Sequence, residues 1–382
     1  MKDLNISLLQ KQRDTLRKTA HQTQSDSDWE AFRSIRNELK RKIRVVKREF
    51  YRKALSSRRP KEVWETINRI LNPANIQLSE EPNKLNEHFN KTSERLTNKK
   101  RITPDQLKSY IDQLPDSGIN CFKLRPATYN EVRSAILKTR SDCSTGPDCI
   151  PINLLKPVVD FITSPLTHII NSFIKTSTFP SEWKEARISP IPKVASPSSP
   201  SDYRPISVLP VMSKVYERIV LTQLSEHIEI STTYQSTQHG FRKSHSTITC
   251  LLKLRDDILR AMDKGEITIG VFADYSKAFD TIDYECLIRK LHTLNFSKVF
   301  LYWLVEYLKE RTHFVQIDDK KSETLISGFG VPQGSILGPV LFNLHFADLN
   351  LHLKSCESLQ YTDDTSIYIQ CKQKKLMQKS RT

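Results

Sequence analysis

The sequence has no run approaching the roughly 18 apolar residues of a membrane span, which excludes a helical membrane protein as the first reading. Its first residues, Met1-Lys2-Asp3-Leu4, lack the apolar core of a secretory signal. The seven cysteines are scattered, odd in number and without a CxxC pair. Cys143 and Cys149 have no histidines at zinc spacing beside them, so all seven are expected as reduced thiols inside a cell. No internal repeat is evident, which excludes a solenoid. Acidic residues are also in deficit: 43 Asp and Glu face 59 Lys and Arg, a formal charge of +16. An excess of that size points to a polyanionic partner, most plausibly nucleic acid.

The excess is concentrated at one end, where residues 1–60 hold 17 Lys and Arg against 7 Asp and Glu. Within it, Trp29, Phe32, Ile35, Leu39, Ile43, Val46 and Phe50 recur every three or four residues. With Ser27 and Glu30 as a capping box, this spacing predicts one helix over 27–57. Its other faces carry Arg36, Lys40, Arg44 and Lys47, placed to meet phosphates or simply water. A second helix is expected after Pro60, through Val63, Trp64, Ile67 and Leu71, and broken helices and turns over 74–118.

From Phe122 onward the pattern becomes mixed, and an α+β fold is expected. Thr128 and Glu131 form a capping box ahead of Val132, Ala135 and Ile136. Helix is predicted over 166–176, strand over 186–193 and a flexible connection over 194–202. Tyr203 to Ser207 is read as the lead into an amphipathic helix through Val215, Ile219 and Leu224. A loop at 240–247 opens a helix over 246–263. A β-type run, 267–273, follows and ends in a carboxylate, Asp274. Helices are expected near 283–292 and 297–309, and a hairpin pairs 313–317 with 324–329. A helix runs from 335 to about 349, and strands 359–364 and 365–370 turn at Asp363-Asp364.

A carboxylate at a strand end is a good metal ligand, because the strand is rigid and its tip reaches solvent. Taken alone, Asp274 reads as a solvated turn residue; a second acidic site far downstream, Asp363-Asp364, changes its weight. The motifs run in order: Phe179-Pro180-x-x-Trp183-Lys184, Ile191-Pro192-Lys193, Tyr203-Arg204-Pro205-Ile206-Ser207, Gly240-Phe241-Arg242 with His245-Ser246-Thr247, Phe272-Ala273-Asp274-x-x-Lys277-Ala278-Phe279-Asp280, Gly330-Val331-Pro332-Gln333-Gly334-Ser335, and Tyr361-x-Asp363-Asp364. Together they closely resemble the reverse transcriptases of non-LTR (LINE-type) retrotransposons over about 120–370.

That resemblance implies a right-hand polymerase. Residues 1–118 would be a basic helical linker, 119–263 the fingers, 264–371 a truncated palm and 372–382 a basic tail, with the thumb absent. It implies an RNA-directed DNA polymerase that adds dNTPs to a primer 3′-hydroxyl on an RNA template. Asp274, Asp363 and Asp364 would be catalytic and hold two Mg²⁺ or Mn²⁺ ions. Phe279 would be the steric gate under the sugar, against its commoner fate as a core aromatic. Lys193 and Arg204 would hold the triphosphate, and Gln333 and Gly334 would support template and incoming base. Arg242 joins Arg36, Lys40, Arg44 and Lys47 as an expected nucleic-acid contact. The location implied is nucleus or cytoplasm, within a ribonucleoprotein and away from membranes. One departure is Thr362, where alanine is usual. The competing expectation is a catalytically inert, nucleic-acid-binding relic. An RNA-dependent RNA polymerase would want a second Asp where Phe279 stands.

Overall fold

A computed structural model describes residues 4–55, 80–97, 102–118, 120–194, 197–230, 237–353 and 355–372. The helix expected over 63–71 and the tail beyond 372 lie outside the described residues. The chain divides into two compact units, Met1–Ser79 and Glu80–Thr382. The boundary expected at 118/119 therefore falls inside the second unit.

In the first unit two helices, α1 (Leu4–Thr23) and α2 (Asp26–Leu55), fold back on each other. Their seam buries Leu9, Ala20 and Leu39. The link is two residues long, and Gln24 takes a left-handed φ of 54° to turn the chain. Thr23 Oγ1 donates to Asp28 Oδ2 at 2.5 Å, and His21 meets Trp29 edge-on. The Ser25 carbonyl accepts from Trp29 N at 3.1 Å, so the second helix starts earlier than expected and Ser27 lies inside its first turn. Helix α1 went unrecognised because its apolar stripe is thin.

The second unit holds two sheets. Strands β1 (Ala186–Pro192), β2 (Tyr203–Val208), β4 (Thr312–Ile317) and β5 (Lys320–Lys321) run in the order β2-β1-β4-β5, with β6 (Leu325–Ile326) also on β4. The other sheet has the order β3-β8-β7, from β3 (Ile267–Ala273), β7 (Glu357–Tyr361) and β8 (Asp364–Cys371). Residues 203–208 are thus a strand, where the sequence reading had only a lead into helix Val211–Ile230. Prolines on both partners masked the pairing, with Pro190 opposite Pro205. The last hairpin also turns one residue earlier than expected, at Thr362-Asp363, which leaves Asp364 as the first residue of β8.

The core centres on helix Lys298–Leu308, which buries seven side chains and leaves only a narrow polar stripe of Lys298, Tyr302 and Glu306. Trp303 Nε1 donates to the Tyr216 hydroxyl at 2.7 Å, and the Trp303 and Tyr307 rings stack at 5.6 Å. Helix Pro104–Gln113 packs on this helix through Leu107 and Ile111. Helix Pro82–Thr97 lies against β4, where Asn86 Nδ2 donates to the Glu323 carbonyl at 2.7 Å and Asn83 Oδ1 accepts from Glu323 N. Helix Thr247–Asp263 is pinned to the three-stranded sheet by the Tyr368 hydroxyl, which donates to Asp257 Oδ2 at 2.6 Å.

One loop brings the two halves of this unit together. Gly330, at φ 73°, lies so close to residues 279–280 that an added Cβ would sit 2.6 Å from Asp280 Cα and from the Phe279 carbonyl oxygen. Val331 N donates to that same carbonyl at 2.9 Å. A side chain here meets both a clash with backbone and an unfavourable φ. We therefore predict that Gly330→Ala lowers stability by about 2–4 kcal/mol. Urea unfolding should show a lower midpoint with the slope preserved. An unchanged midpoint would mean that the loop moves aside without cost.

Candidate functional site

The β3–β8 register pairs Ala273 with Thr365, and the next antiparallel step sets Asp274 opposite Asp364 at the mouth of the Thr362-Asp363 turn. Two strands distant in sequence thus bring three carboxylates to one end of the sheet. Asp274 is exposed and Asp363 is half-buried. The Asp363 carboxyl is pushed above its ordinary range, first by burial and then by the charges of Asp364 and Asp274, with Arg204 opposing. A bound cation relieves that repulsion.

The turn itself is held from outside. Thr362 has φ 62°, which is unusual for a β-branched residue. Buried Gln238 fixes it from both sides: its Oε1 accepts from Thr362 N at 3.1 Å and its Nε2 donates to the Thr362 carbonyl at 3.2 Å. Gly240 lies against the same residue, since a Cβ there would be 2.4 Å from Thr362 N. Two backbone bonds, His239 N to Gln360 O and Gln360 N to Thr237 O, complete the clamp at 2.8 Å each. Gln238 is a positioning residue that the sequence motif gave no reason to single out.

An open cleft of about 810 Å³ lies before these carboxylates. It gathers Lys193, Arg204, Asp274, Phe279, Gln333, Gly334 and Asp363 from widely separated segments. Lys193 and Arg204 sit at adjacent ends of the β1–β2 hairpin, where Lys193 N donates to the Asp202 carbonyl at 2.8 Å, and both are exposed. Ser207 N donates to the Gln333 carbonyl at 2.7 Å, and Gly334 passes so near that a Cβ would be 2.4 Å from Ser207 O. Gln333 Nε2 then donates to both oxygens of Asp280, at 3.1 and 3.0 Å. Phe279, half-buried, lines the cleft while stacking on Phe342 at 4.7 Å.

Two expected residues do not line this cleft. Asp364 is exposed and does not line the cleft, because the early turn places it on β8. Arg242 does not line it either; its Nη1 donates to the Gln238 carbonyl at 3.1 Å, which assigns it to the clamp. Arg36, Lys40 and Arg44 are exposed along α2 in the other unit, and the side chain of Lys47 lies outside the described residues. Lys277, a motif residue to which the sequence assigns no role, lines the cleft with φ 56°. Burial pushes its amine below the ordinary range, as do Lys193 and Arg204, with Asp280 opposing.

Among the described residues, no three His, Cys, Asp or Glu side chains gather closely enough to hold a metal ion alone. The cleft instead offers two carboxylates, Asp274 and Asp363, facing a basic rim. Hard oxygen donors from one or two carboxylates, completed by water and substrate phosphates, suit Mg²⁺. The arrangement can therefore receive a polyphosphate together with its divalent ion.

Comparison with known proteins agrees with this geometry. The family described as reverse transcriptase (RNA-dependent DNA polymerase) matches residues 191–381. The chain is 32% identical over 256 residues to the probable RNA-directed DNA polymerase from transposon BS of Drosophila melanogaster, covering 67% of this chain and 28% of that protein. It is 30% identical over 278 residues to the RNA-directed DNA polymerase from mobile element jockey of the same species, covering 70% and 30%. A third relative, the probable RNA-directed DNA polymerase from transposon X-element, is 30% identical over 258 residues. The chain thus matches less than a third of the length of these relatives.

Asp280 supplies a test of the inner wall. Burial pushes its carboxyl up to about 6, against the pull of Lys277 and the Gln333 hydrogen bonds. Its folded pKa therefore exceeds its unfolded value of about 3.9. The folded state binds the extra proton between the two, so stability is greatest below pH ~4 and is lost as pH rises through about 6. A shift of roughly two units corresponds to roughly 3 kcal/mol. Asp280→Asn should remove this fall. Urea midpoints measured from pH 4 to 7 should converge for the two proteins at low pH and separate above 6, with the variant the more stable. Parallel curves would place Asp280 in water.

Proposed function

Since the chain belongs to the reverse transcriptase family, we propose that its cleft is the nucleotidyl-transfer site of a non-LTR retrotransposon RNA-directed DNA polymerase. The observation that carries this is the convergence of Asp274 and Asp363 with Lys193, Arg204, Phe279 and Gln333 on one cleft. Residues 119–263 are read as fingers and 264–371, which hold the β3-β8-β7 sheet, as palm.

In this reading Asp274 and Asp363 hold Mg²⁺ or Mn²⁺, and Asp364 acts through the turn. The bound ions would lower the pKa of the primer hydroxyl and stabilise the leaving pyrophosphate. Lys193 and Arg204 bind the triphosphate of the incoming dNTP, where fixed cations offset the charge that develops on the phosphoryl oxygens. The ring of Phe279, held by Phe342, sits under the sugar and excludes a 2′-hydroxyl. Gln333, fixed by Ser207 and Asp280, supports the base paired to the RNA template. The exposed basic residues of α2 contact phosphates of template or primer. No described helix is long and apolar enough to cross a membrane, and residence in a nuclear or cytoplasmic ribonucleoprotein fits the charge. The assembled cleft weighs against an inert relic.

Primer extension on poly(rA)/oligo(dT) with Mg²⁺ or Mn²⁺ tests the assignment. Asp274→Asn should lose at least about 100-fold in rate, since each tenfold is only 1.4 kcal/mol of transition-state stabilisation. Phe279→Val should admit ribonucleotides while dNTP incorporation largely persists. Unchanged sugar discrimination in an active, folded variant returns Phe279 to the core alone.

The basic helix has its own readout. If Arg36, Lys40 and Arg44 each meet a phosphate of single-stranded RNA, replacing all three by alanine should flatten the slope of log K against log salt by about 2. The loss should be uniform across RNA sequences. An unaltered slope confines these residues to solvation.

A further inference from the structure

Behind the cleft, and sharing Lys277 and Gln333 with it, lies a second cavity between β1, β4 and helix Pro82–Thr97. It encloses about 80 Å³, where a single water needs only about 10–15 Å³. Besides Lys277, two almost fully buried cations line it: Lys184 is 4% exposed and Arg311 3%. Arg311 Nη1 donates to the Tyr307 carbonyl at 3.0 Å, but its Nη2 has no hydrogen-bond partner. Neither cation forms an ion pair among the described residues.

The surrounding carboxylates are already engaged. Glu306 bridges Lys108 and Lys309 at 2.9 Å each. Glu217 accepts from Ile336 N at 2.6 Å, Leu337 N at 3.2 Å and Ser213 Oγ at 3.1 Å. Asp280 is occupied by Gln333, and Glu310 is exposed. Burial accordingly drives the Lys184 amine down to about 8, with Lys309 and Arg311 adding to the shift and Glu306 and Glu310 opposing it. The charge of Glu217 also acts on Arg311, whose guanidinium lies over the Tyr307 ring at 4.9 Å. Neither Lys184 nor Nη2 of Arg311 is hydrogen-bonded to an anion, and burying cations in that state is costly.

We propose that this cavity binds a small phosphate-class oxyanion between Lys184 and Arg311. The guanidinium fork matches two oxygens of a tetrahedral anion, and the ammonium supplies a point charge. Ser327, whose Oγ lies 2.9 Å from His313 Nδ1, adds a hydroxyl to the lining. At about 80 Å³ the cavity is too small for a nucleic-acid backbone. The anion is either free phosphate or the pyrophosphate that nucleotidyl transfer would release next door. Only the second source rests on the function proposed above.

Thermal unfolding at constant ionic strength tests the site with inorganic phosphate and pyrophosphate against chloride. Either anion should raise the wild-type Tm saturably, by about 2–4 °C at several times its Kd. Lys184→Met should abolish that rise. In chloride the variant should melt no lower than wild type, since it removes a buried charge that has no ion-pair partner. Lys193→Ala, at the nucleotide end of the cleft, should keep the rise, which separates this site from the triphosphate-binding one. A larger effect of pyrophosphate assigns the reaction product as ligand, and equal effects assign the free ion. The proposal is overturned if wild type shows no saturable rise, if Lys184→Met retains it, or if Lys193→Ala loses it.

Discussion

The antiparallel register of β3 on β8 is the constraint on which the site depends. Seven consecutive residue pairs, from Ile267 with Cys371 to Ala273 with Thr365, set where Asp274 stands relative to the hairpin turn. A slip of one residue would turn every side chain of a strand to the opposite face and carry Asp274 away from Asp363. The register is defended away from the carboxylates. Tyr368 on β8 is tied to Asp257 on the overlying helix, and Gln370 Nε2 donates to the Asp257 carbonyl at 2.8 Å.

Beyond that sheet, positioning is achieved by polar residues that bridge distant segments. Gln238 holds the Thr362 turn, Glu217 binds the amides of Ile336 and Leu337, and Gln333 bridges β2 and Asp280. Each lies between segments far apart in sequence, where apolar packing alone would leave several arrangements of similar energy. A directional bond to a buried partner selects one of them, because the alternatives leave that partner unsatisfied. The loops can therefore carry functional groups and still be held as firmly as strands.

Charge is distributed in the same spirit. Carboxylates gather at one end of the three-stranded sheet while Lys193, Arg204 and Lys277 line the facing wall, and the same cleft meets both signs. Fixed charges in a partly desolvated cleft need no reorganisation when a charged ligand arrives. Lys184 and Arg311 extend the cationic wall inward, beyond the reach of bulk water.

Much of this protein was legible in its sequence. The β3 strand was read with its observed limits, Ile267–Ala273, because a β-branched run ending in a polar turn has one local solution. The Thr128 cap was equally local: both bonds of its capping box form within four residues. The candidate residues Asp274, Asp363, Phe279, Gln333, Lys193 and Arg204 were recognisable through motif order. Sequence left β2 unseen, since prolines argue against a strand until a partner accepts them, and it mistook the place of Asp364 by one turn residue. It held no sign of the Gln238 clamp or of the cavity beside Lys184, and it gave Lys277 a place in a motif but no role. These depend on contacts between residues tens to more than a hundred positions apart. Local spacing records which face a residue prefers; only tertiary packing decides which distant backbone that face will meet, and which buried charge is left without a partner.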